Sequence, residues 1–360
     1  MISRIVLRNI RVHAQTIVDF TNRVGVLFGA NGLGKTTILE SVFALATLKS
    51  FRCASLFEMV QTGHEVGSIE AKFEGEDPHK RKIDLFSRSK ILTRNGEKCP
   101  RPEEFLLGES VVCLAPEHQE LVHGGPEGRR KYLDHLIFGM DMGYLTTMRR
   151  YQKALAQKQA LLRQKPSRSA YLDCVAPWES ELVASGDEIR ARRKDLIRQL
   201  TPRISAFYRD LSKSDFDVGV DYASAANEGE SIAHEIGRKR DAEIYAERVL
   251  TGCHRDDVTF SLCGRAARET ASQGEKSSLL LALKMSENEK LRYETGRAPI
   301  LLLDDIGNTL DEHRRTALFS WLRTTDQQVL VSTADPNIRS ISLEFGATQV
   351  ALQTEQPHAL

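Results

Sequence analysis

The chain has 360 residues, of which 41% are apolar and 28% are charged, and this composition excludes a wholly disordered protein. Lys and Arg number 50 and Asp and Glu 49, so the net charge of +1 excludes a uniformly basic nucleic-acid binder and leaves local basic patches for any contact with DNA. The six cysteines form no C-x-x-C pair and no apolar stretch is long enough to span a bilayer, which disfavours a zinc ribbon or a membrane protein and predicts a cytoplasmic location.

The first hundred residues predict several strands around one strong helix. Val24 to Phe28 is an apolar run that ends at a glycine, as a buried strand does, and Thr36 to Leu48 has apolar residues at helical spacing. Asn95-Gly96 indicates a hairpin turn between short strands. The other strands predicted here are Ile5 to Leu7, Thr16 to Phe20, Ile69 to Phe73, Ile83 to Phe86 and Val111 to Leu114.

The middle of the chain has a different texture. From Arg129 to about Phe207 it is rich in Arg, Lys, Gln, Leu and Ala, which predicts helices. We expect these helices to break near Pro166, Pro177 and Pro202, because an interior proline removes a helical hydrogen bond. Further along, we predict strands at Asp217 to Tyr222, Val258 to Arg265, Ile300 to Leu303 and Gln328 to Ser332, and helices at Ser231 to Leu250 and Ser277 to Leu291.

A phosphate-binding loop is predicted by a match to G-x-x-x-x-G-K-[ST], which reads Gly29-Ala30-Asn31-Gly32-Leu33-Gly34-Lys35-Thr36. Small residues let the backbone N–H groups of such a loop wrap around phosphates. Lys35 is expected to reach the β- and γ-phosphates of ATP and Thr36 to ligate Mg²⁺, with Thr37 completing the site. The alternative, a glycine-rich turn with an unrelated lysine, is disfavoured because an apolar strand precedes the loop and an amphipathic helix follows it.

The predicted strand Ile300 to Leu303 ends in two carboxylates, Asp304 and Asp305. Asp304 is expected to hold the metal, and Asp305 to orient or deprotonate the attacking water. Alone, this pattern is more typical of a core strand with two capping acids. A phosphate-binding loop needs such an acid, so the two patterns together favour a catalytic pair.

A third element, Ser272-Gln273-Gly274-Glu275, precedes the Ser277 to Leu291 helix. In ABC-type ATPases a Ser-x-Gly-x signature holds this position and caps the γ-phosphate of ATP bound to the opposite subunit. In isolation the segment is also a good helix N-cap. Asn308-Thr309-Leu310-Asp311 follows where these proteins have a D-loop, with Asp311 as a nucleotide-site residue, and Thr333 lies where they have a switch residue.

Two further segments resemble the RecF family. Ala115 to Val122, continued by Gly124 to Asp134, is similar to P-E-D-x-x-L-V-x-G-x-P-x-x-R-R-x-[FY]-L-D. Thr251 to Asp257 is similar to G-P-H-R-D-D. The chain departs from the family where His118 replaces Asp, Cys253 replaces Pro, Glu275 replaces Gln, and Asn308-Thr309 replaces Ser-Glu.

The resemblance covers nearly the whole chain and implies an α/β fold. It implies an ABC-type P-loop ATPase head, like those of the structural-maintenance-of-chromosomes (SMC) proteins, with an inserted, mainly helical second lobe or arm. We expect lobe I at 1–125 and 298–360 and lobe II, with the signature, at 126–297. The family further implies ATP and Mg²⁺ as cofactors, an ATP-dependent dimer, weak DNA-stimulated hydrolysis, binding of double-stranded DNA near single-strand junctions, and action with RecR and RecO to load RecA.

The DNA-contacting surface is predicted from clusters of basic residues, since phosphate binding needs such charges. The alternative for any one cluster is a solvated helix face, because acids are interspersed. Four other residues, Arg129, Arg130, His254 and Arg255, are expected to be structural and to tie the lobes together by charge-assisted bonds. The predicted DNA-contacting residues are Arg149, Arg150, Lys153, Arg192 and Arg193.

Three other classes of protein share parts of this pattern. A transporter ATPase has the loop and the acidic strand but needs a membrane partner, and it lacks the G-P-x-x-R-R and H-R-D-D segments. A true SMC head needs a very long heptad coil between the ATP motifs, which the chain does not have. A non-hydrolysing, ATP-gated DNA scaffold stays open, because Asp305 is shorter than the Glu of many ABC-type relatives.

Overall fold

The computed structural model describes residues 1–164, 167–212, 214–224, 230–338 and 346–352. The chain divides into two compact units. Unit 1 is Met1–Gln119 with Asp210–Lys213 and Leu283–Leu360, and unit 2 is Glu120–Arg209 with Ser214–Ala282. The lobe boundaries that we expected from the sequence stay a prediction.

The helices and strands of the described residues are numbered along the chain, and each type is given separately below. The strands are β1 (Ile2–Ile10), β2 (His13–Asp19), β3 (Val24–Phe28), β4 (Val66–Phe73), β5 (His79–Phe86), β6 (Lys90–Arg94), β7 (Glu97–Lys98), β8 (Val111–Leu114), β9 (Val218–Ala223), β10 (Asp257–Leu262), β11 (Arg265–Ala266), β12 (Ile300–Asp304), β13 (Val329–Thr333) and β14 (Thr348–Ala351). The α-helices are α1 (Lys35–Thr47), α2 (Pro102–Leu106), α3 (Glu120–His123), α4 (Pro126–Met140), α5 (Tyr144–Arg163), α6 (Arg168–Ser212), α7 (Ile232–Ala246), α8 (Ala267–Thr270), α9 (Gln273–Thr295), α10 (Ile306–Thr309) and α11 (Glu312–Arg323). Short 3-10 turns lie at Leu56–Met59, Pro116–Gln119 and Cys253–Arg255.

A parallel sheet forms the centre of unit 1. In the described part of the chain its strand order is β14-β3-β13-β12-β8. Every residue of β12 and β13 is buried, as expected for strands covered on both faces. The register pairs Asp304 with Ser332 and Thr333 with Phe28, so the carboxyl ends of β3, β12 and β13 meet at one edge. Ligands of open α/β sheets bind at such an edge.

An antiparallel sheet forms the rest of the strand structure of unit 1. Its order over the described residues is β2-β1-β4-β5-β6-β7. The predicted hairpin is confirmed between β6 and β7, where Asn95 and Gly96 have φ of 52° and 86°. Two successive positive φ values are what a two-residue hairpin turn needs, which is why Asn-Gly is favoured there.

Unit 2 contains α3 to α5, α6 as far as Arg209, α7, α8 and the start of α9 as far as Ala282, with the small sheet β11-β10-β9. Its longest element, α6, runs through Pro177 and Pro202, so the breaks that we predicted at these two prolines are wrong. Both prolines lie at exposed positions. Water can therefore solvate the carbonyl oxygens that lose their helical donor, and the helix continues. Pro166 lies outside the described residues. Within the described ranges, no helix is both long enough and apolar enough to cross a membrane.

Candidate nucleotide-binding site

The predicted phosphate-binding loop joins β3 to α1 at the carboxyl edge of the parallel sheet. Its crest is exposed at Ala30, Asn31 and Gly32, whereas Lys35 and Thr37 are buried. Between crest and helix, Gly29, Leu33, Gly34 and Thr36 are half-buried.

Gly34 can only be glycine in this loop. Its φ is 82°, a left-handed conformation, and a Cβ there would collide with the His13 ring and with Val12. The His13 ring lies against the loop, with Nε2 3.1 Å from the Gly34 carbonyl oxygen and Nδ1 2.8 Å from the Thr16 hydroxyl. The start of β2 therefore buttresses the loop from behind.

Lys35 folds over the loop that carries it. Its Nζ donates to the carbonyl oxygens of Gly29 at 2.7 Å and Ala30 at 2.8 Å. Burial lowers the pKa of this ammonium, and the nearby carboxylates of Asp305 and Asp304 oppose that shift. A loop with one largely buried cation facing two carboxylates has the charge distribution that a phosphate–metal pair requires.

One carboxylate oxygen of Asp304 accepts hydrogen bonds from two hydroxyl groups. Thr36 Oγ1 donates to Asp304 Oδ1 at 2.9 Å, and Ser332 Oγ donates to the same atom. Asp304 is only 3% exposed, and burial raises its pKa while the two hydrogen bonds oppose the rise. These three residues join α1, β12 and β13 at a single point.

Thr36 and Asp304 fit an Mg²⁺ ion. A hydroxyl and a carboxylate oxygen are the hard ligands that Mg²⁺ takes from proteins, and it completes its shell with phosphates and water. The described residues contain no group of three or more His, Cys, Asp and Glu side chains that could hold a metal ion.

Ser332 was missed by the sequence analysis, which singled out Thr333 instead. The Thr333 side chain is fully buried, and its hydroxyl accepts from the backbone N–H of Asp335 at 2.9 Å. Ser332 is the β13 residue that reaches Asp304. The signal that would have found it is the pairing register of β12 with β13, which the sequence does not display.

Asp305 turns the chain directly after β12. Its φ and ψ are 48° and 44°, and its N–H donates to the Ser332 carbonyl at 3.1 Å. A non-glycine residue in this left-handed region is uncommon and is found often at functional sites. Its predicted role in orienting water stays a prediction, as does the nucleotide contact of Asp311, whose carboxylate caps α11 by accepting from the Arg314 N–H at 2.9 Å.

The predicted signature lies in unit 2 and forms a capping box at the start of α9. The Ser272 hydroxyl accepts from the Glu275 N–H at 3.3 Å, and the Glu275 carboxylate accepts from the Ser272 N–H at 2.7 Å. Ser272 and Gln273 are exposed and Gly274 is half-buried. The helix N-terminus thus carries a hydroxyl on the surface, where an anion can approach it. The D-loop side chains of Asn308 and Thr309 lie outside what the structure describes.

The other two family-specific segments meet each other inside unit 2. Arg129 makes a bidentate ion pair with Asp257, at 2.8 and 2.9 Å, and Arg130 donates to the Asp256 carbonyl at 2.7 Å. His254 Nδ1 lies 2.7 Å from the Tyr151 hydroxyl. These contacts give the segments the structural role that we predicted, but they lie within unit 2, so the prediction that they tie two lobes together is wrong for Arg129, Arg130 and His254.

A second pair of arginines in unit 2 corrects the predicted DNA surface. Arg193 is only 2% exposed and makes a bidentate ion pair with Asp134, both distances being 2.8 Å. A guanidinium held in this way cannot reach a phosphate, so Arg193 leaves the predicted set. Arg192 is exposed and pairs with Asp141 and Glu188.

The remaining predicted DNA contacts lie on one exposed helix face. Arg149, Arg150 and Lys153 are exposed on α5, and Arg150 pairs with Glu181 at 2.8 Å. The α5 sequence contains no Asp or Glu, so this helix contributes no acid of its own to that face. This charge pattern is the one expected for phosphate contact, and the role itself stays a prediction.

Comparisons with known proteins agree over almost the entire chain. The family model of the RecF/RecN/SMC N terminal domain matches residues 1–354. The DNA replication and repair protein RecF of Geobacter sulfurreducens is 35% identical over 338 residues, 88% of each chain. The solved structure of the recombination mediator protein RecF-ATP in the RecFOR pathway matches with a TM-score of 0.85 and 25% identity, covering 93% of this chain and 92% of that one. An SMC head shares the fold alone, with a TM-score of 0.53 and 14% identity over 94% of this chain and 91% of its own.

The parallel sheet with its loop and acidic strand, taken with these likenesses, defines an ABC-type P-loop ATPase head of the SMC-like class with a long helical element, as the sequence predicted. Within that class, the chain belongs to the RecF family of DNA replication and repair proteins. The resemblance stated from its motifs is therefore confirmed.

Proposed function

We propose that this protein is an ATP-dependent DNA-binding protein of recombinational repair and replication-fork recovery, with slow ATPase activity. The observation that carries the proposal is the hydrogen bond between Thr36 and Asp304 in a chain of the RecF family. It joins the phosphate-binding loop to the acidic strand, as the Mg²⁺–ATP complex requires. The repair function of the curated relatives and the ATP of a solved relative support the same conclusion.

In the proposed mechanism the backbone of residues 29–37 cradles the phosphates. Lys35 would neutralise charge on the β- and γ-phosphates, and Thr36 and Asp304 would hold Mg²⁺, which would supply positive charge to the transferred phosphoryl group. Asp305 orients the attacking water. Ser332 keeps the Asp304 carboxylate in position by its hydrogen bond.

Hydrolysis in this proposal needs a second copy of the chain. Ser272, Gln273 and Gly274 of one copy, at the exposed start of α9, would cap the γ-phosphate of ATP bound to the other, with Asp311 near the same interface. A serine hydroxyl at a helix N-terminus suits a phosphate oxygen. ATP would then drive dimerisation, and slow hydrolysis would release the dimer from DNA.

The proposed substrate of the dimer is double-stranded DNA near a single-strand junction. Arg149, Arg150, Lys153 and Arg192 are the proposed phosphate contacts of unit 2. We further propose that the protein acts in the cytoplasm with RecO and RecR to load RecA, since the solved relative is a mediator of the RecFOR pathway.

The test is light scattering with and without ATP–Mg²⁺, in the presence and absence of a short duplex. We expect a dimer only with ATP, and retention of the duplex by that dimer. Ser272→Arg should leave ATP binding by the monomer intact and prevent dimerisation, whereas Lys35→Met should remove both. A Ser272→Arg protein that still dimerises with ATP contradicts the composite site.

The DNA surface on α5 has its own test by fluorescence anisotropy. The double change Arg149→Glu with Lys153→Glu should weaken duplex binding and leave ATP binding unchanged. Arg198→Glu is the control, because Arg198 is exposed on α6 and pairs with Asp195, a neighbour one turn away on the same helix. Equal DNA affinity of the double variant and the control would remove this surface from the proposal.

A further inference from the structure

The antiparallel sheet of unit 1 has a basic groove on its solvent face. The groove has a volume of about 590 Å³ and lies across β4, β5 and β6. The polar side chains that line it include three lysines and one glutamate, and one of these lysines, Lys82, faces Glu70 across the strands and pairs with Asp84 at 2.8 Å. The polar lining residues are Lys72, Lys80, Lys82, Glu70, Thr93, Asn95 and the buried His79.

The pairing register places cations directly opposite one another in this region. Lys72 on β4 faces Lys80 on β5, and on its other side Lys72 faces Arg4 on β1. Like charges at directly opposed positions destabilise a sheet. The row Arg4–Lys72–Lys80 therefore costs folding stability, and a bound anion would reduce this repulsion.

The carboxylates around the row compensate it only in part. Arg4 pairs with Asp19 at 2.6 Å and Lys72 with Glu74 at 2.8 Å, but all four side chains are about half exposed. Ion pairs this exposed contribute little. Throughout the described ranges, no carboxylate lies within ion-pair distance of the Lys80 ammonium. Lys80 is therefore the cation in the groove most available to an outside anion.

The groove has charge but lacks what a protein partner would need. Interfaces between proteins are anchored by large apolar or aromatic side chains at their centre. Two aromatic rings line this groove, those of Phe73 and His79. They are 1% and 4% exposed, so neither can anchor a protein partner. Lysines on a rigid sheet instead suit phosphate oxygens, which they bind as point charges without reading bases.

We propose that this groove is a phosphate-binding surface for duplex DNA in unit 1, additional to the α5 face of unit 2. Lys72 and Lys80 contact the DNA backbone and contribute affinity without sequence preference. The inference rests on the proposed function, because it needs a chain that binds duplex DNA.

The experiment is a salt titration of duplex binding with the full chain and ATP–Mg²⁺, followed by fluorescence anisotropy. The double variant Lys72→Gln with Lys80→Gln removes two cations and relieves the repulsion between them, so it should fold at least as well as the wild type. If both lysines contact phosphates, the slope of log K against log salt should shallow by about 2, since each neutralised phosphate contributes about 0.9.

The matched control is Lys131→Gln with Arg198→Gln, which removes two charges from exposed positions of unit 2 that pair with helical neighbours. Its slope should equal that of the wild type. If the Lys72→Gln with Lys80→Gln variant has the salt slope and the duplex affinity of the wild type, the inference is wrong. In that case the proposed function still stands if Arg149→Glu with Lys153→Glu weakens duplex binding. If the groove variant loses binding to a poly-glutamate peptide and keeps duplex binding, the groove takes an acidic protein segment and the inference is equally wrong. No duplex binding by the wild type would overturn the proposed function itself.

Discussion

Asp304 in unit 1 and Asp256 in unit 2 are both buried carboxylates, 3% and 0% exposed, and both belong to motifs of the RecF family. Their partners differ. Asp256 receives a bidentate ion pair from Arg190, at 2.9 and 3.0 Å, and a hydrogen bond from the Tyr222 hydroxyl at 2.7 Å. Asp304 receives two neutral hydroxyls, and among the described residues no cation forms an ion pair with it.

This difference separates a structural motif from a binding one. A carboxylate that already has a guanidinium partner holds the fold together, and removing it leaves a buried charge. A buried carboxylate with only neutral donors has a raised pKa and gains most from a cation that arrives with a ligand. Motif letters alone do not distinguish the two cases, whereas the charge of the partners does.

The largest expected effect tests the structural carboxylate. Asp256→Asn should lower the free energy of unfolding by about 3–5 kcal/mol, because the buried Arg190 would lose its bidentate partner and keep the more distant Glu235, 3.6 Å away. Urea unfolding followed by circular dichroism measures this. The control is Asp195→Asn, which breaks an exposed pair with Arg198 and should change stability by at most about 1 kcal/mol. Equal midpoints for the two variants would contradict a structural role for Asp256.

The next effect concerns pH and the same region of unit 2. Burial lowers the pKa of His254 from 6.5 to about 4. The unfolded chain therefore takes up a proton below pH 6.5, and the folded chain does not until about pH 4. Stability from the neutral ring is complete above pH 6.5 and is lost as the pH falls, by up to about 3 kcal/mol near pH 4. The difference in unfolding free energy between wild type and His254→Gln should shrink by this amount from pH 7 to pH 4, and a constant difference would contradict it.

The smallest effect on stability is expected at the binding carboxylate. Asp304→Asn removes a charge that burial disfavours, so the apo protein should unfold within about 1 kcal/mol of the wild type or be slightly more stable. The same change should abolish the stabilisation that ATP–Mg²⁺ gives to the wild type, since linkage converts binding into stability. Thermal unfolding with and without ATP–Mg²⁺ measures both. A large loss of stability in the apo protein would place Asp304 in the same class as Asp256.

Much of the nucleotide edge could be predicted from the sequence because its signals are local. The loop, the apolar strand before Asp304 and the helix after Ser272 each depend on residues that are adjacent in the chain. Ser332 could not be predicted, since its contact with Asp304 depends on the register of two strands 28 residues apart. The structure describes the residues of the loop and acidic strand in contact, while their chemical roles stay predictions.

Long-range contacts also explain why Arg193 was wrongly predicted to contact DNA. In the sequence it belongs to a basic cluster on a helix and looks available to DNA. Its partner, Asp134, is 59 residues away and lies on another helix, so nothing local reveals that the charge is already neutralised. Long-range pairing is the physical information that composition and spacing do not carry.

The helix α6 has a mechanical consequence. At 1.5 Å per residue, its 45 residues span roughly 67 Å. Pro177 and Pro202 each deprive the carbonyl four residues earlier, at Asp173 and Arg198, of its backbone donor. We therefore expect α6 to bend more easily at these two positions than at the turns between them, because each lacks one backbone hydrogen bond. A force on one end of the helix would be transmitted to the other end partly as bending at these two positions.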